Sequence, residues 1–237
     1  MELNHKYYRT NYTGEEVNNN NGELVTYKVT PRPNVFIPPF TNSAIILGNG
    51  RTRNHDSIKQ LLTINSKKVS ESYKLVYACN RAIEDEMNYD YYILKQRWFL
   101  TSVPVNKASQ IYLPYDIFLD YQDTYNMLPY ISYFDAGASA AYLACFDGHK
   151  KVFLIGFDGD YGAGFKTIYD GTNGYGDGTK PIDYSSWADY LHRVMYIYSD
   201  VDFYRIQLDA AAPPQSWSNL PNFHNIGFRE AILLGDF

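Results

Sequence analysis

The run Val152-Phe153-Leu154-Ile155-Gly156-Phe157 is almost wholly apolar, and its surroundings leave few folds open. Upstream, Gly137-Ala138-Ser139 opens an Ala-rich stretch that stops at Gly148-His149-Lys150; downstream, Asp158 stands beside glycines. The segment therefore reads as helix, tight turn, buried strand and carboxylate-bearing turn, with Gly148 placed as the helix's left-handed cap. A strand apolar in every position needs cover on both faces, which is the condition of a central parallel strand between helices. A second stretch has the same grammar: Ser43 to Leu47 is apolar and runs into Gly48-Asn49-Gly50-Arg51-Thr52-Arg53. Open α/β sheets take their ligands outside the carboxyl ends of their strands, so the two segments predict one crevice.

The remaining pattern alternates in the same way. Strands are predicted at Ser43–Leu47, Tyr73–Cys79, Tyr89–Leu94, Gln110–Leu113, Val152–Phe157 and Asp202–Leu208, with helices near Asp56–Ile64, Tyr115–Tyr121, Ala136–Asp147 and Tyr184–Tyr198. Such alternation predicts an α/β domain with an open, mainly parallel Rossmann-like sheet flanked by helices, spanning residues 43–237. Residues 1–42 differ. Asn18 to Asn21 form a polar run, and Pro31, Pro33, Pro38 and Pro39 punctuate the segment, so it is expected to be an extended arm. Residues 158–182 form a long Gly- and Asp-rich connection of the kind that serves as a lid or binding loop.

Charge and composition exclude several functions. A net charge of −5 lacks the basic face that duplex nucleic acid demands, so no nucleic-acid partner is expected. Cys79 and Cys145 sit in apolar patterns with no CxxC, as expected for two buried thiols in a reducing compartment. No charged-then-apolar leader opens the chain and no apolar run reaches about 18 residues, which predicts a cytoplasmic protein without a membrane span. The 24 tyrosines are accounted for by a core and contact surfaces built from amphipathic rings.

Individual motifs carry the chemistry. Gly48-Asn49-Gly50 lies between strand and helix, where backbone N–H groups can face a phosphate or ribose, and Arg51 and Arg53 can pair with an anion. It lacks the third glycine of a dinucleotide fingerprint and the Gly-Lys-Ser/Thr ending of a P-loop. Gly137-Ala138-Ser139-Ala140-Ala141 approaches a nucleophile elbow, but its last glycine is Ala141 and no oxyanion loop precedes it. Asp158-Gly159-Asp160 offers two carboxylates on one turn, an arrangement that can share a divalent cation. His192 falls in a helix pattern, which leaves His224 as the better acid–base histidine.

Taken together, Gly48-Asn49-Gly50, Cys79-Asn80 and the run from Gly137 through Gly148 to Gly156-Phe157-Asp158 resemble motifs of the bacterial lipooligosaccharide sialyltransferases, glycosyltransferase family 42, and of related pterin-diphosphokinase-like proteins. The resemblance covers about Ser43 to Tyr161. It implies the glycosyltransferase A variant of the Rossmann-like fold and a metal-independent, cofactor-free site for a nucleotide sugar such as a CMP-sugar. It places nucleotide contacts at Gly48, Asn49, Gly50 and Asn80, and phosphate contact at Tyr161 or Tyr169; the residues themselves add Arg51 and Gly137, Ala138 and Ser139 as further expected nucleotide contacts. The chain departs from the family at three places. Arg51-Thr52 replaces a frequent Pro-Ser, Asp135-Ala136-Gly137 replaces Thr-Ser-Gly, and no histidine occurs from Lys150 to Leu191, where the family keeps its catalytic one.

The expected activity is transfer of a sugar from a nucleotide to a sugar or glycan acceptor. Asp158 or Asp160 would be the base and Tyr161 the group that meets the leaving phosphate. The alternative is a transferase fold that has lost its chemistry and serves as a structural or assembly protein, such as one of a virus particle. In that case the N-terminal arm would join copies in a homo-oligomer or bind an assembly partner.

Overall fold

A computed structural model describes residues 12–18, 25–31, 42–66, 73–87, 89–121, 124–129, 133–158, 167–169, 172, 184–207 and 212–233. Two strands in the N-terminal arm, β1 (Tyr12–Asn18) and β2 (Val25–Pro31), pair antiparallel, with Tyr12 opposite Pro31. The described parts of residues 1–41 are thus two strands paired with each other. Pro33, Pro38 and Pro39 lie outside the described residues.

Among the described residues the main sheet has eight strands, all parallel. Its members are β3 (Ser43–Leu47), β4 (Leu75–Cys79), β5 (Tyr91–Ile93), β6 (Ile111–Leu113), β7 (Asn126–Met127), β8 (Lys151–Ile155), β9 (Asp202–Gln207) and β10 (Phe223–Gly227). Their order across the sheet is β10-β9-β8-β3-β4-β5-β6-β7. The chain starts at β3 in the interior, works out to β7, then returns to the other side of β3 with β8 and works out to β10. The order reverses between β3 and β8, so the carboxyl ends of these two strands flank the topological switch point, where an open α/β sheet forms its crevice.

Among the described residues six α-helices flank the sheet: α1 (Asp56–Ser66), α2 (Tyr115–Phe118), α3 (Ala136–Phe146), α4 (Tyr184–Ile197), α5 (Gln215–Ser218) and α6 (Phe228–Leu233). Alternation along β3 separates two cores. Ala44 and Ile46 pack with α3, α4 and Trp217 of α5 on one face; Ile45 and Leu47 pack with Ile58 and Leu62 of α1, Phe118 of α2 and Ala231 of α6 on the other. Helices linking strands that advance in opposite directions fall on opposite faces when every crossover has the same hand, which puts α1 and α4 on different sides. The result is a three-layer Rossmann-like α/β arrangement. No helix among the described residues is long and apolar enough to cross a membrane.

Helix α3 shows how local chemistry sets an element that shapes the site. Asp135 is its N-cap, accepting a hydrogen bond from the Ala138 N–H at 2.7 Å. Alanines then keep the helix slim enough to be buried between the sheet and α4, and Ala138, Ala140, Ala141 and Ala144 are all fully enclosed. Gly148, at φ +95°, ends it in the left-handed conformation that its position in the sequence predicts. Cys79 and Cys145 are free and buried, and burial pushes both thiols well above their ordinary pKa.

Candidate functional site

The exits of β3 and β8 meet at the switch point through backbone alone. The Gly48 N–H donates to the Ile155 carbonyl and the Gly50 N–H to the Gly156 carbonyl, both at 2.8 Å. A Cβ on Gly48 would stand 2.5 Å from the Gly156 oxygen, and one on Gly50 would stand 2.3 Å from an Asp158 carboxylate oxygen. Gly156 itself is at φ +77°. These glycines are required because two loops cross at van der Waals limits. Their N–H groups bind the neighbouring loop, so the donors that the sequence offers to a phosphate face β8 instead.

Asp158 fastens this crossing. One carboxylate oxygen accepts from the Thr52 N–H at 3.0 Å and the other from the Thr52 hydroxyl, which fixes the 3₁₀ turn Arg51–Asn54 after β3. Arg53, next in the same turn, is 4% exposed and turned inward. It is ion-paired with Asp85, donates to the Tyr89 hydroxyl at 3.1 Å, and lies under the rings of Tyr89 and Tyr169 at 5.6 Å from each centroid. A guanidinium so deeply desolvated persists only with such a set of partners. Tyr169 donates to Asp85 at 2.7 Å and the Ile168 N–H donates to the Asn49 carbonyl at 2.9 Å, so this short piece of the long 158–182 connection is tied down beside the first turn.

A cleft of about 170 Å³ opens over this floor. Gly48, Asn49, Gly50, Asn80 and Gly137, all singled out in the sequence, border it together with Asp158. Arg51 is exposed and does not line it; Ala138 and Ser139 are buried within α3 behind it. The Ser139 hydroxyl makes no hydrogen bond with the described residues. Asp160 and Tyr161 lie outside the described residues. His192 is half-buried on α4, and His224 is near the start of edge strand β10, beside Asp202 and stacked on Tyr204; neither borders the cleft.

Asn80 follows β4 with φ +46°, the only left-handed non-glycine among the described residues. Asparagine tolerates that conformation better than most residues, and such backbone outliers gather at functional sites. Its side-chain oxygen accepts from the Lys95 N–H at 3.1 Å, while its amide Nδ2 has no protein acceptor among the described residues.

The rim also holds residues that sequence reasoning did not assign to the site. Asp135 borders the cleft from the start of α3. Burial is the main influence on its carboxyl and pushes it up to about 6, against the opposing pull of the Ala138 N–H, the Lys95 ammonium and the Gly137 N–H. Its detectable signal was that of a helix start, an Asp just before an Ala-rich run. Phe157 and Trp187 supply aromatic wall with ring centroids 6.1 Å apart, and Trp187 is backed by Trp217 at 5.6 Å. Trp187 comes from α4, and nothing local in the sequence links it to β3 or β8. Among the described residues no cluster of three or more His, Cys, Asp or Glu side chains is gathered in a way that could hold a metal ion.

No protein-family model, curated protein or solved structure matches the chain.

Proposed function

We propose that the cleft binds a nucleotide and that the protein is a nucleotide-dependent transferase, a glycosyltransferase acting on a nucleotide-activated sugar. The observation that carries this reading is convergence. The Gly48–Gly50 turn, Asn80 and Gly137, separated by long stretches of chain, border one cleft at the switch point of a parallel sheet. In this reading Asn49 and Asn80 hold the nucleotide through their amides. The acceptor oxygen attacks the anomeric carbon as the bond to the leaving phosphate breaks and its electron pair goes to that phosphate. Asp160 or Asp158 takes the acceptor's proton, and Tyr161 with Arg51 meets the charge on the phosphate.

The test is calorimetric titration of the full chain with CMP, CDP, UDP and GDP, each with and without manganese. Metal-independent CMP binding, lost in Asn80→Ala without loss of folding, is the expected result. Absence of binding by all four overturns the reading.

One observation favours the structural alternative. Asp158 and Arg53, the carboxylate and the cation placed closest to the first turn, are both engaged in holding loops together. An assembly protein needs only that scaffold. Concentration-dependent oligomers that disappear when residues 1–42 are removed, with no nucleotide bound, would support it.

A further inference from the structure

The described wall of the cleft has an unusual charge pattern for a nucleotide site. Two carboxylates border it, Asp135 and Asp158, and no lysine, arginine or histidine does so among the described residues. Two cations stand near without bordering it: Arg53 is buried beneath the turn and ion-paired with Asp85, and the Lys95 ammonium acts on the Asp135 carboxylate but does not line the cleft. The start of α3, which in many α/β proteins cradles a phosphate, is closed by the Asp135 side chain on Ala138 and the Asp135 carbonyl on Ser139. A phosphate brought to this wall would meet a carboxylate with no lining cation beside it. Beside glycines, Cys79 and Ala136, the remaining lining is uncharged: Asn49, Asn80, Thr167 and the rings of Phe157 and Trp187. Carboxylate, amides and aromatic rings together are complementary to a neutral ring bearing hydroxyl donors.

Building on the nucleotide reading, we propose that Asp135 accepts hydrogen bonds from a vicinal diol of the ligand, so that this wall takes a sugar ring and the phosphates lie away from α3. A carboxylate at a strand-helix junction grips ribose hydroxyls in dinucleotide folds by the same chemistry. Two hydroxyl donors satisfy a partly desolvated carboxylate without adding charge, and the Asn80 Nδ2 is placed on the same rim to donate to a sugar or base oxygen. The diol has two sources in a nucleotide sugar, the ribose and the transferred sugar.

Titration of the full chain with CMP against 2′-deoxy-CMP, and separately with methyl glucoside and methyl galactoside, distinguishes them. The informative variant is Asp135→Ser, since serine keeps the helix cap but is too short to reach a ligand held by aspartate. For a ribose diol, CMP should bind about tenfold or more tightly than its deoxy analogue, and the variant should bring the two within about twofold, the size of a lost charge-assisted hydrogen bond. Glycoside binding that the variant abolishes would assign the diol to the transferred sugar. CMP binding with no preference for the 2′-hydroxyl, together with no glycoside binding, overturns the proposal and leaves the nucleotide reading standing. Glycoside binding without any nucleotide does the reverse; binding by none of these four probes overturns the diol proposal, and the nucleotide reading falls with it only when CDP, UDP and GDP fail as well. Thermal melting checks the variant's fold; a purely structural role for Asp135 would move the melting point but not the ratio of the two affinities.

Discussion

The floor and the rim of the cleft are built from similar residues and use them differently. On the floor, the Gly48 and Gly50 N–H groups, both oxygens of Asp158, and Arg53 all bind other parts of the protein. On the rim, Asn80 keeps its Nδ2 without a protein acceptor among the described residues, and Asp135 keeps a carboxyl shifted to about 6 beside open space. A glycine-rich turn with an aspartate behind it therefore marks where two strands cross, while polar groups open to the cleft enter from the neighbouring β4 and α3. Position at a strand end makes a residue eligible for a site; whether its polar atoms are already engaged decides what it does there.

The largest expected effect tests the floor. Gly156→Ala combines a left-handed backbone with a Cβ 2.9 Å from the Gly48 oxygen, so it should cost about 2–5 kcal/mol, the sum of left-handed strain and overpacking. Gly148→Ala is the control. That residue is also left-handed but has nothing within 4 Å, and should cost only about 1–2 kcal/mol. Denaturant melts of both variants give the comparison; equal losses would mean the loop crossing adds nothing. Next in size, Asp158→Ala strands two Thr52 donors and should cost about 1–3 kcal/mol. An Asp158→Ala protein that melts like the parent yet loses transfer activity would return Asp158 to the role of catalytic base and erase the contrast with the rim.

Much of the fold was legible because its signals are local. The continuous apolar runs at 43–47 and 152–157 predict doubly covered strands, and every residue of β3 and four of the five in β8 are buried. Gly148 was legible as a cap because the Ala-rich run ends just before it. Shorter strands were read too long: Tyr89–Leu94 is a strand only over Tyr91–Ile93, since Tyr89 turns to Asp85 and Arg53. The site was legible only as a place. That Arg53 turns inward, while Arg51 two residues earlier stays exposed, depends on Asp85, Tyr89 and Tyr169, which no spacing rule connects to it. Trp187 reaches the cleft from α4 by tertiary packing alone.

A pH titration sharpens the rim. Burial raises the Asp135 carboxyl from an ordinary 3.8 to about 6, while the Lys95 ammonium and the Gly137 and Ala138 N–H groups pull it the other way. The Cys79 thiol also faces it, and stays protonated because burial raises its own pKa. The folded state then holds the Asp135 proton more tightly than the unfolded chain. Its contribution to stability is complete below about pH 4 and is lost as pH rises through about 6. Asp135→Asn removes that dependence, so relative to the parent the variant should gain about 1–2 kcal/mol between pH 4 and 7. Parallel stability curves for the two proteins would place the carboxylate in ordinary solvent and remove its distinction from exposed acids.

The smallest effect tests how floor and rim are joined. Tyr169 donates to Asp85 over Arg53, and the adjacent Ile168 holds the Asn49 carbonyl. Tyr169→Phe keeps the ring over the guanidinium and removes only the hydroxyl; Asp85 retains Arg53 and Tyr89. The global loss should therefore be about 1 kcal/mol, a few degrees at most in melting temperature. Thr167, two residues earlier, borders the cleft, so loosening this strap acts on ligand affinity as well as on stability. If the strap merely decorates the fold, nucleotide affinity in Tyr169→Phe stays at the parent value while the melting point falls. If it holds the cleft in shape, affinity drops by several-fold through faster ligand release, and the floor's internal bonds become part of what the rim can recognise.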